Sequence, residues 1–318
     1  MRILFTDAAT VAYQHDVSLR DFEQFGEIVA YDRITREELL QEAPTVEVIL
    51  CNKTVIDREV MTAAPNLRYI GLFATGYNNI DVVCAQERGV TVCNAGSYST
   101  AAVAQQVFAY LLSHFSKVEP YTQFVQSGGW KASDIFWAYA MPTDELMGKT
   151  IGIVGYGSIG KEVEKIARAF SMHPIVCART VRPNGQTEFV SFEELLAQSD
   201  IITVHCPLTD QTNELFHAGT FAKMKDGAFF VNTSRGGVVD ETALRDALQS
   251  GKLSGAGIDV LTEEPMRTDC VLYQAPNLLI TPHTAWAPLS TRKRLVAVVR
   301  DNLDAYLKGS PQNAVVKP

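Results

Sequence analysis

Short apolar runs alternate with helix-patterned segments through the first third of the 318-residue chain. Strands are predicted for the apolar runs 3–6, 28–31, 46–51, 69–75 and 91–94. Helices are predicted for the intervening segments 19–25, 36–42, 58–64 and 82–88. Such alternation is typical of a mostly parallel sheet that is covered on both faces by helices.

The segment 99–125 breaks this rhythm and predicts one long helix, with Ser99 or Thr100 as its N-cap. The aromatic-rich loop that follows, 130–139, is expected to pack either over the core or against a second copy of the chain. The last predicted helix covers 290–307 and precedes a short polar tail. Between these regions the βα rhythm resumes and predicts strands at 151–156, 174–178, 201–206, 228–233, 256–260 and 278–281.

A glycine-rich turn lies between the strand 151–156 and a helix predicted at 159–170. Its glycines, Gly155, Gly157 and Gly160, have the spacing G-x-G-x-x-G. In this pattern the first glycine permits a tight turn, the second lets backbone approach a pyrophosphate, and the third lets helix and strand pack closely. The helix N-terminus then offers unpaired N–H groups to the phosphates. Because strands flank the motif on both sides, a dinucleotide site is favoured over a structural glycine turn.

Composition and charge narrow the class of partner. The chain is 47% hydrophobic and 20% charged, with a formal net charge of -8. Since there is no basic surplus to meet phosphates, we expect neither nucleic acid nor a membrane as a partner. The six cysteines form no C-x-x-C pair and the six histidines are dispersed, which predicts free thiols in the cytoplasm and no metal site.

Four chemically active side chains lie at or after the ends of predicted strands of the second half: Arg235, Asp259, Glu264 and His283. Ligands of open α/β sheets bind outside the carboxyl ends of the strands, so these groups should meet where the dinucleotide lies. Taken alone, each has an ordinary explanation, such as a solvated charge, a turn residue before proline or a turn cap. Their occurrence at consecutive strand ends behind a dinucleotide motif favours a catalytic role.

The chain resembles the D-isomer-specific 2-hydroxyacid dehydrogenases, and most of all their glycerate dehydrogenase (hydroxypyruvate reductase) branch. The similarity covers essentially the whole chain and is carried by ATGYNNID (74–81), YSTAAVAQ (98–105), GKTIGIVGYGSIGK (148–161), FVNTSRGGVVDETAL (230–244), GAGIDVLTEEP (255–265) and TPHTAWAP (281–288). It implies an α/β fold of two doubly wound parallel-sheet domains. A Rossmann dinucleotide-binding domain, 100–287, would be inserted in a flavodoxin-like substrate domain, 1–99 plus 288–318.

The resemblance implies an oxidoreductase that transfers a hydride between a nicotinamide dinucleotide and C2 of a small 2-oxo acid or D-2-hydroxy acid. Arg235 would bind the substrate carboxylate and carbonyl oxygen through its planar fork. His283 would protonate the carbonyl oxygen during reduction. Glu264 would hydrogen-bond His283, orient it and favour its protonated form. Asp259 would hold the nicotinamide carboxamide.

Further contacts to the substrate are implied for a loop of the first half and for one tryptophan. Backbone N–H groups of Ala74, Thr75 and Gly76 would meet the substrate carboxylate. Trp286 would narrow the pocket against bulky C3 groups, or would serve only in ordinary packing. Hydroxypyruvate and glyoxylate are the expected substrates, and another 2-oxo acid is the alternative.

The same resemblance implies further cofactor contacts beside the three glycines and Arg235, Asp259 and His283. These residues end or follow strands of the dinucleotide domain, or lie at the start of the helix after the glycine turn: Ser158, Ile159, Arg179, Thr180, Cys206, Pro207, Thr212, Thr233 and Ser234.

The residues after the strand 174–178 bear on the choice of cofactor. NAD-selective sites place a carboxylate at the end of this strand, which binds the ribose hydroxyls and repels a 2′-phosphate. Ala178 occupies that position, and Glu188 is the first carboxylate after it. Arg179 and Arg182, with the Thr180 hydroxyl, are suited to hold a phosphate, unless both arginines are merely solvated. We therefore expect NADP(H) to be preferred, with NAD(H) as the alternative.

Two other functions remain open on this fold. A corepressor-like protein that senses nicotinamide dinucleotides would need no general acid, so the set Arg235, Glu264 and His283 favours an enzyme. Formate dehydrogenase is disfavoured because those enzymes have glutamine where Glu264 stands. As the last implication of the resemblance, we expect a homodimer formed through the dinucleotide domain by the helix 99–125 and the loop 130–139.

Overall fold

The computed structural model describes residues 1–181 and 185–317. Strands and helices first alternate in the order β1 (Arg2–Phe5), β2 (Glu27–Ala30), α1 (Arg36–Glu42), β3 (Val48–Cys51), α2 (Arg58–Ala63), β4 (Tyr69–Leu72), α3 (Val82–Glu87) and β5 (Thr91–Cys93). The chain continues with α4 (Thr100–Ser116), α5 (Val118–Gln126), β6 (Thr150–Val154), α6 (Ser158–Ala169), β7 (His173–Cys177) and β8 (Glu188–Phe189). It ends with α7 (Phe192–Gln198), β9 (Ile201–Val204), α8 (Ala218–Lys223), β10 (Ala228–Asn232), α9 (Glu241–Gln249), β11 (Leu253–Ile258), β12 (Leu278–Ile280), α10 (Leu289–Leu307) and β13 (Ala314–Val316).

Several helices begin at side-chain caps that the sequence supplies. Thr35 before α1 and Ser191 before α7 each form a capping box with a glutamate three residues later. The carboxylates of Asp57 and Asp240 accept hydrogen bonds from the first turns of α2 and α9. Each cap satisfies backbone N–H groups that a helix start leaves without an intrahelical partner, and so fixes the residue at which the helix begins.

The chain divides into two compact units. One unit comprises Met1–Ser99 together with the chain from Ala287 onward, and the other comprises Thr100–Trp286. In the first unit, α10 packs against β4, and the rings of Tyr306 and Tyr69 lie 4.7 Å apart. No helix within the described residues is long and apolar enough to cross a bilayer.

The sheet of the first unit has the strand order β13-β5-β4-β3-β1-β2. Its ladders are parallel except for β13, which pairs antiparallel with β5. Without β13 this is the order 2-1-3-4-5 of flavodoxin-like sheets. Buried apolar side chains of the strands and of α1, α2 and α3 form its core.

The sheet of the second unit has the order β12-β11-β10-β9-β6-β7-β8, and all its ladders are parallel. Counted from β6, the first six strands have the Rossmann order 3-2-1-4-5-6. One core lies between the sheet and α7, α8 and α9, and the other lies between the sheet and α4 and α6. The predicted fold class, two doubly wound parallel sheets, is confirmed.

The prediction of a single helix over 99–125 is wrong, because the structure contains α4 and α5 with Lys117 between them in a left-handed conformation, φ 50°. The cause is Pro120. In a continuous helix its ring would collide with the carbonyl of Ser116, and it has no N–H to donate. The break at Lys117 places Pro120 in the first turn of a new helix, where proline is tolerated.

The polar tail predicted after the last helix is also wrong in part, since β13 forms an edge strand there. Ala314 is paired with Cys93 and Val316 with Val92. The N–H of Asn94 donates to the carbonyl of Asn313 at 3.1 Å. A three-residue edge strand is too short to give a readable alternation in the sequence.

Candidate active site

The glycine turn after β6 has the geometry that a dinucleotide requires. Gly155 has φ +96°, and a Cβ there would lie 2.7 Å from the backbone N of Cys206. A Cβ on Gly160 would lie 2.3 Å from the carbonyl oxygen of Gly155. By contrast, a Cβ on Gly157 would meet no atom within 4 Å. The first and third glycines are therefore needed for packing, while the second leaves open space in front of the N-terminus of α6.

Ser158 and Ile159 form the start of α6 and lie beside that space. The loop after β9 approaches the same turn at His205 and Cys206, and Pro207 follows in the chain. It is held by the Thr212 hydroxyl, which donates to the Pro207 carbonyl at 2.6 Å and accepts from the Thr209 N–H at 2.8 Å. Ser158, Ile159 and Cys206 therefore lie at the glycine turn, and the contacts of these residues, Pro207 and Thr212 with a cofactor stay predictions.

The segment after β10 presents Arg235 to solvent from a rigid turn. The Asn232 side chain is 1% exposed, and its Oδ1 accepts from both the N–H and the hydroxyl of Ser234. Its Nδ2 donates to the Arg235 carbonyl at 2.9 Å. Thr233 Oγ1 is buried and has no hydrogen-bond partner within the described chain. Asn232 therefore fixes the backbone from which the exposed Arg235 guanidinium projects.

Asp259 follows β11 and organises the turn after β12. The side chain is 2% exposed, and burial raises the pKa of its carboxyl above the usual value. Its two oxygens accept from the N–H groups of Thr284 and Ala285, each at 2.9 Å, and from the hydroxyl of Thr281. Its backbone carbonyl accepts from the N–H of His283 at 2.8 Å. One buried carboxylate thus closes the turn that carries His283.

His283 has a left-handed backbone conformation, with φ 54°. Its Nδ1 lies 2.6 Å from Oε2 of Glu264. The other carboxylate oxygen, Oε1, accepts from the N–H of Leu261 at 3.0 Å. Because an ionised carboxylate only accepts hydrogen bonds, Nδ1 is the donor and Nε2 is the nitrogen available for other chemistry.

Strand order brings these groups to one edge of the second unit. The carboxyl ends of β12, β11, β10, β9 and β6 lie side by side in the sheet. They carry, in that order, His283, Asp259, Arg235, Cys206 and Gly155. A cation, a histidine paired with a carboxylate, and a glycine turn in front of a helix N-terminus therefore share the edge at which α/β sheets bind ligands.

Comparison with known proteins decides which family this arrangement represents. The NAD-binding-domain model of the D-isomer specific 2-hydroxyacid dehydrogenases matches residues 108–285, more than half of the chain. The chain belongs to this family. It is therefore an NAD(P)-dependent 2-hydroxyacid dehydrogenase, and the predicted family and enzyme class are confirmed.

Individual relatives of this dehydrogenase cover nearly its full length. Hydroxypyruvate reductase from Blautia hydrogenotrophica is 41% identical over 310 residues, 95% of this chain and 96% of its own. Glycerate dehydrogenase from Methylorubrum extorquens is 35% identical over 317 residues, 99% of this chain and 98% of its own. The crystal structure of TT0316 protein from Thermus thermophilus has TM-score 0.87 at 35% identity, covering 99% of this chain and 100% of that one.

The remaining residues that were predicted to contact cofactor or substrate do not belong to the group of side chains described above. Arg179 and Thr180 are exposed in the loop after β7, and Arg182 lies outside the described residues. Trp286 is partly buried at the end of the second unit. The loop 74–76 belongs to the first unit, where the Thr75 hydroxyl donates to the Gly96 carbonyl at 2.5 Å. The roles of these residues toward cofactor and substrate stay predictions.

The side chains that support the active-site residues through hydrogen bonds were not identified from the sequence. Asn232 lies within the stretch FVNTSRGG. Its hydrogen bonds to both Ser234 and Arg235 depend on the conformation of the turn and are not evident from the sequence. The hydroxyl of Tyr110 in α4 lies within hydrogen-bond distance of the Ile258 carbonyl and of the Thr281 hydroxyl. No linear signal joins Tyr110 to Thr281, because the two are 171 residues apart.

Proposed function

We propose that this dehydrogenase reduces hydroxypyruvate or glyoxylate to the D-2-hydroxy acid, and that it prefers NADPH as the reductant. The observation that supports the reaction is the His283–Glu264 pair on the sheet edge that also carries Arg235 and the glycine turn. The observation that supports the substrate is the similarity to a hydroxypyruvate reductase and a glycerate dehydrogenase over almost the whole chain.

In the reduction, each of the three side chains has a separate task. Arg235 binds the carboxylate and the carbonyl oxygen of the 2-oxo acid and polarises the carbonyl group. The reduced nicotinamide, when bound, supplies the hydride that C2 accepts. His283 delivers the proton from Nε2 to the carbonyl oxygen, since Nδ1 is held by Glu264. Glu264 orients the ring and stabilises the imidazolium form that donates the proton.

Asp259 completes the cofactor end of the site. A buried carboxyl group on the sheet edge that also carries the glycine turn is suited to the nicotinamide carboxamide, whose NH₂ group donates hydrogen bonds. Holding that group fixes which face of the ring meets the substrate.

The preference for NADPH rests on the end of β7. Ala178 follows this strand, and the exposed Arg179 and Thr180 come next. The first carboxylate downstream, Glu188, pairs instead with Nε2 of His173 at 3.1 Å, and His173 begins β7. A carboxylate that would repel a 2′-phosphate is therefore directed to the opposite end of the strand. Arg179 is then the cation that meets the phosphate.

We also propose that the protein is a homodimer assembled through the aromatic loop 130–139 and α4 and α5. Phe136 is 89% exposed, and Trp130 and Trp137 are about half exposed. The loop is nevertheless ordered internally, since Trp130 Nε1 donates to the Phe136 carbonyl at 3.1 Å. A shaped apolar surface of this kind is typical of a protein–protein contact.

A panel of 2-oxo acids tests the proposed function. With NADPH present, kcat/KM should be highest for hydroxypyruvate or glyoxylate, and lower for pyruvate, branched 2-oxo acids and phenylpyruvate. If phenylpyruvate is the best substrate, the proposed substrate is wrong. If the cofactor binds but no 2-oxo acid is turned over, the sensing protein becomes the better explanation.

A further inference from the structure

The helix α4 lies unusually close to β11 because two glycines of the strand face it. A Cβ on Gly257 would lie 2.5 Å from Cγ of the Tyr110 ring. A Cβ on Gly255 would lie 2.9 Å from Cε1 of His114, one helical turn further along. The two glycines, spaced i and i+2, therefore receive two aromatic side chains spaced i and i+4 on the helix.

This close approach brings the Tyr110 hydroxyl to the end of the strand. Tyr110 is 3% exposed, and its hydroxyl oxygen lies 2.9 Å from the carbonyl oxygen of Ile258. The same hydroxyl is hydrogen-bonded to Oγ1 of Thr281. Burial raises the pKa of Tyr110 to about 12, so the group remains a neutral phenol. The Ile258 carbonyl also accepts the N–H of Thr281 at 3.0 Å, which ties β11 to the segment after β12 at the same point.

The contact continues from Thr281 to the active site. The single proton of the Thr281 hydroxyl is donated to Oδ1 of Asp259, so the Tyr110 hydroxyl is the donor in the Tyr110–Thr281 bond. Asp259 in turn binds the N–H groups of Thr284 and Ala285. These bonds close the turn that holds His283. A chain of hydrogen bonds thus runs from a helix on one face of the sheet to the histidine.

We propose that Tyr110 is a positioning residue, which acts through Thr281 to fix the carboxyl group of Asp259. This inference deepens the proposed function and rests on it. Without the phenol, the Thr281 hydroxyl loses the partner that sets its rotamer, and one bond to the buried carboxyl group becomes variable. Both the carboxamide contact and the His283 turn depend on Asp259, and small displacements of such groups reduce turnover.

Four variants test the proposal: Tyr110→Phe, Thr281→Val, Thr281→Ser and the double variant Tyr110→Phe/Thr281→Val. Tyr110→Phe keeps the ring that packs on Gly257 and removes only the hydroxyl. We expect kcat with hydroxypyruvate to fall about threefold to tenfold and the Kd for NADPH to rise by a similar factor, the size typical of one lost hydrogen bond. Thr281→Val should lose at least as much, while Thr281→Ser should be close to the wild type.

The double variant distinguishes positioning from a simple loss of packing. If Tyr110 acts through Thr281, the double variant should be no worse than Thr281→Val alone. Tyr31→Phe is the matched control, because it removes a hydroxyl that donates to Glu42 at 3.0 Å in the first unit. It should leave kcat and Kd unchanged.

Two results would overturn the proposal. One is a Tyr110→Phe enzyme whose kcat and Kd match those of Tyr31→Phe. The other is a double variant whose losses are the product of the two single losses. The Kd for NADPH, measured by nicotinamide fluorescence, decides the matter even if the wild type reduces no 2-oxo acid. Absence of turnover in the wild type would contradict the proposed function, and the binding cycle would still test Tyr110.

Discussion

Nδ1 of His283 lies 2.6 Å from Oε2 of Glu264, and the carboxylate is held on its other oxygen by the N–H of Leu261. The imidazole is 27% exposed and the carboxylate 35%, so the pair is neither buried nor freely solvated. This geometry keeps the ring in one tautomer and leaves Nε2 accessible. A general acid that works on a small substrate needs both properties.

Replacement of Glu264 by glutamine tests the role of its charge. The glutamine side chain would retain the size and a hydrogen bond to the ring, but it would not stabilise the imidazolium form. For Glu264→Gln we expect kcat for 2-oxo acid reduction to fall roughly tenfold or more. Glu188→Gln is the matched control, since Glu188 also pairs with a histidine, His173, at 3.1 Å. Equal kinetics for the two variants would refute the assigned role.

Arg179→Ala tests the choice of cofactor. If Arg179 binds the 2′-phosphate, its loss should raise the KM for NADPH roughly tenfold and leave the KM for NADH almost unchanged. Arg245→Ala, which removes an arginine paired with Asp246 on α9, is the control. Steady-state kinetics with both cofactors would measure the effect. A wild type that prefers NADH by tenfold would end the argument for NADPH.

Phe136→Ser tests the proposed dimer. Because this side chain is 89% exposed in a single chain, its replacement should not unfold the protein, but it should weaken association through the loop 130–139. Light scattering at micromolar concentration should report a dimer for the wild type and more monomer for Phe136→Ser. Val83→Ser, at an exposed apolar position of the first unit, should remain dimeric. A monomeric wild type would rule the proposal out.

The parts of the fold that could be predicted from the sequence are those specified by local signals. The glycine spacing, the apolar strands and the capping residues each act within a few positions, and these elements were predicted near their observed bounds. The sequence also contains the signal for the break at Lys117, because Pro120 excludes a continuous helix. The apolar periodicity on both sides of Pro120 nevertheless led to the prediction of a single helix.

The hydrogen bonds that support the active site could not be predicted in this way, because they join distant parts of the chain. Tyr110 occupies an apolar-periodic position of α4. A tyrosine that only packs in the core would give the same sequence pattern as one that supports the active site. Its link to Thr281 exists only because Gly257 lets the helix approach β11. Likewise, the pairing of Glu188 with His173 required the register of β8 on β7.

Two histidines that are shielded from solvent should make the free energy of unfolding depend on pH in the acid range. Burial lowers the pKa of His114 to about 4 and that of His205 to about 3, both below the usual value of 6.5. Both are neutral in the folded protein, whereas the unfolded chain takes up protons once the pH falls below about 6.5. Their contribution to stability is therefore complete above that pH and is lost as the pH falls toward the folded pKa values.

For His114→Gln, the free energy of unfolding should fall less between pH 7 and pH 5 than it does for the wild type, by roughly 1–2 kcal/mol. Urea unfolding at the two pH values would measure the difference. His15→Gln, a change at an exposed histidine, should retain the dependence of the wild type. An identical pH dependence for all three proteins would show that His114 is not shielded in the fold.

The most direct test of the central claim, that His283 donates the proton, is the rate at which NADPH absorbance decreases with hydroxypyruvate for wild type, His283→Ala and His173→Ala. His173 is the matched control because it also pairs with a glutamate but lies at the amino end of β7. We predict that His283→Ala lowers kcat by about a hundredfold or more with the Kd for NADPH largely retained, and that His173→Ala keeps the wild-type rate. Full activity of His283→Ala would contradict the account.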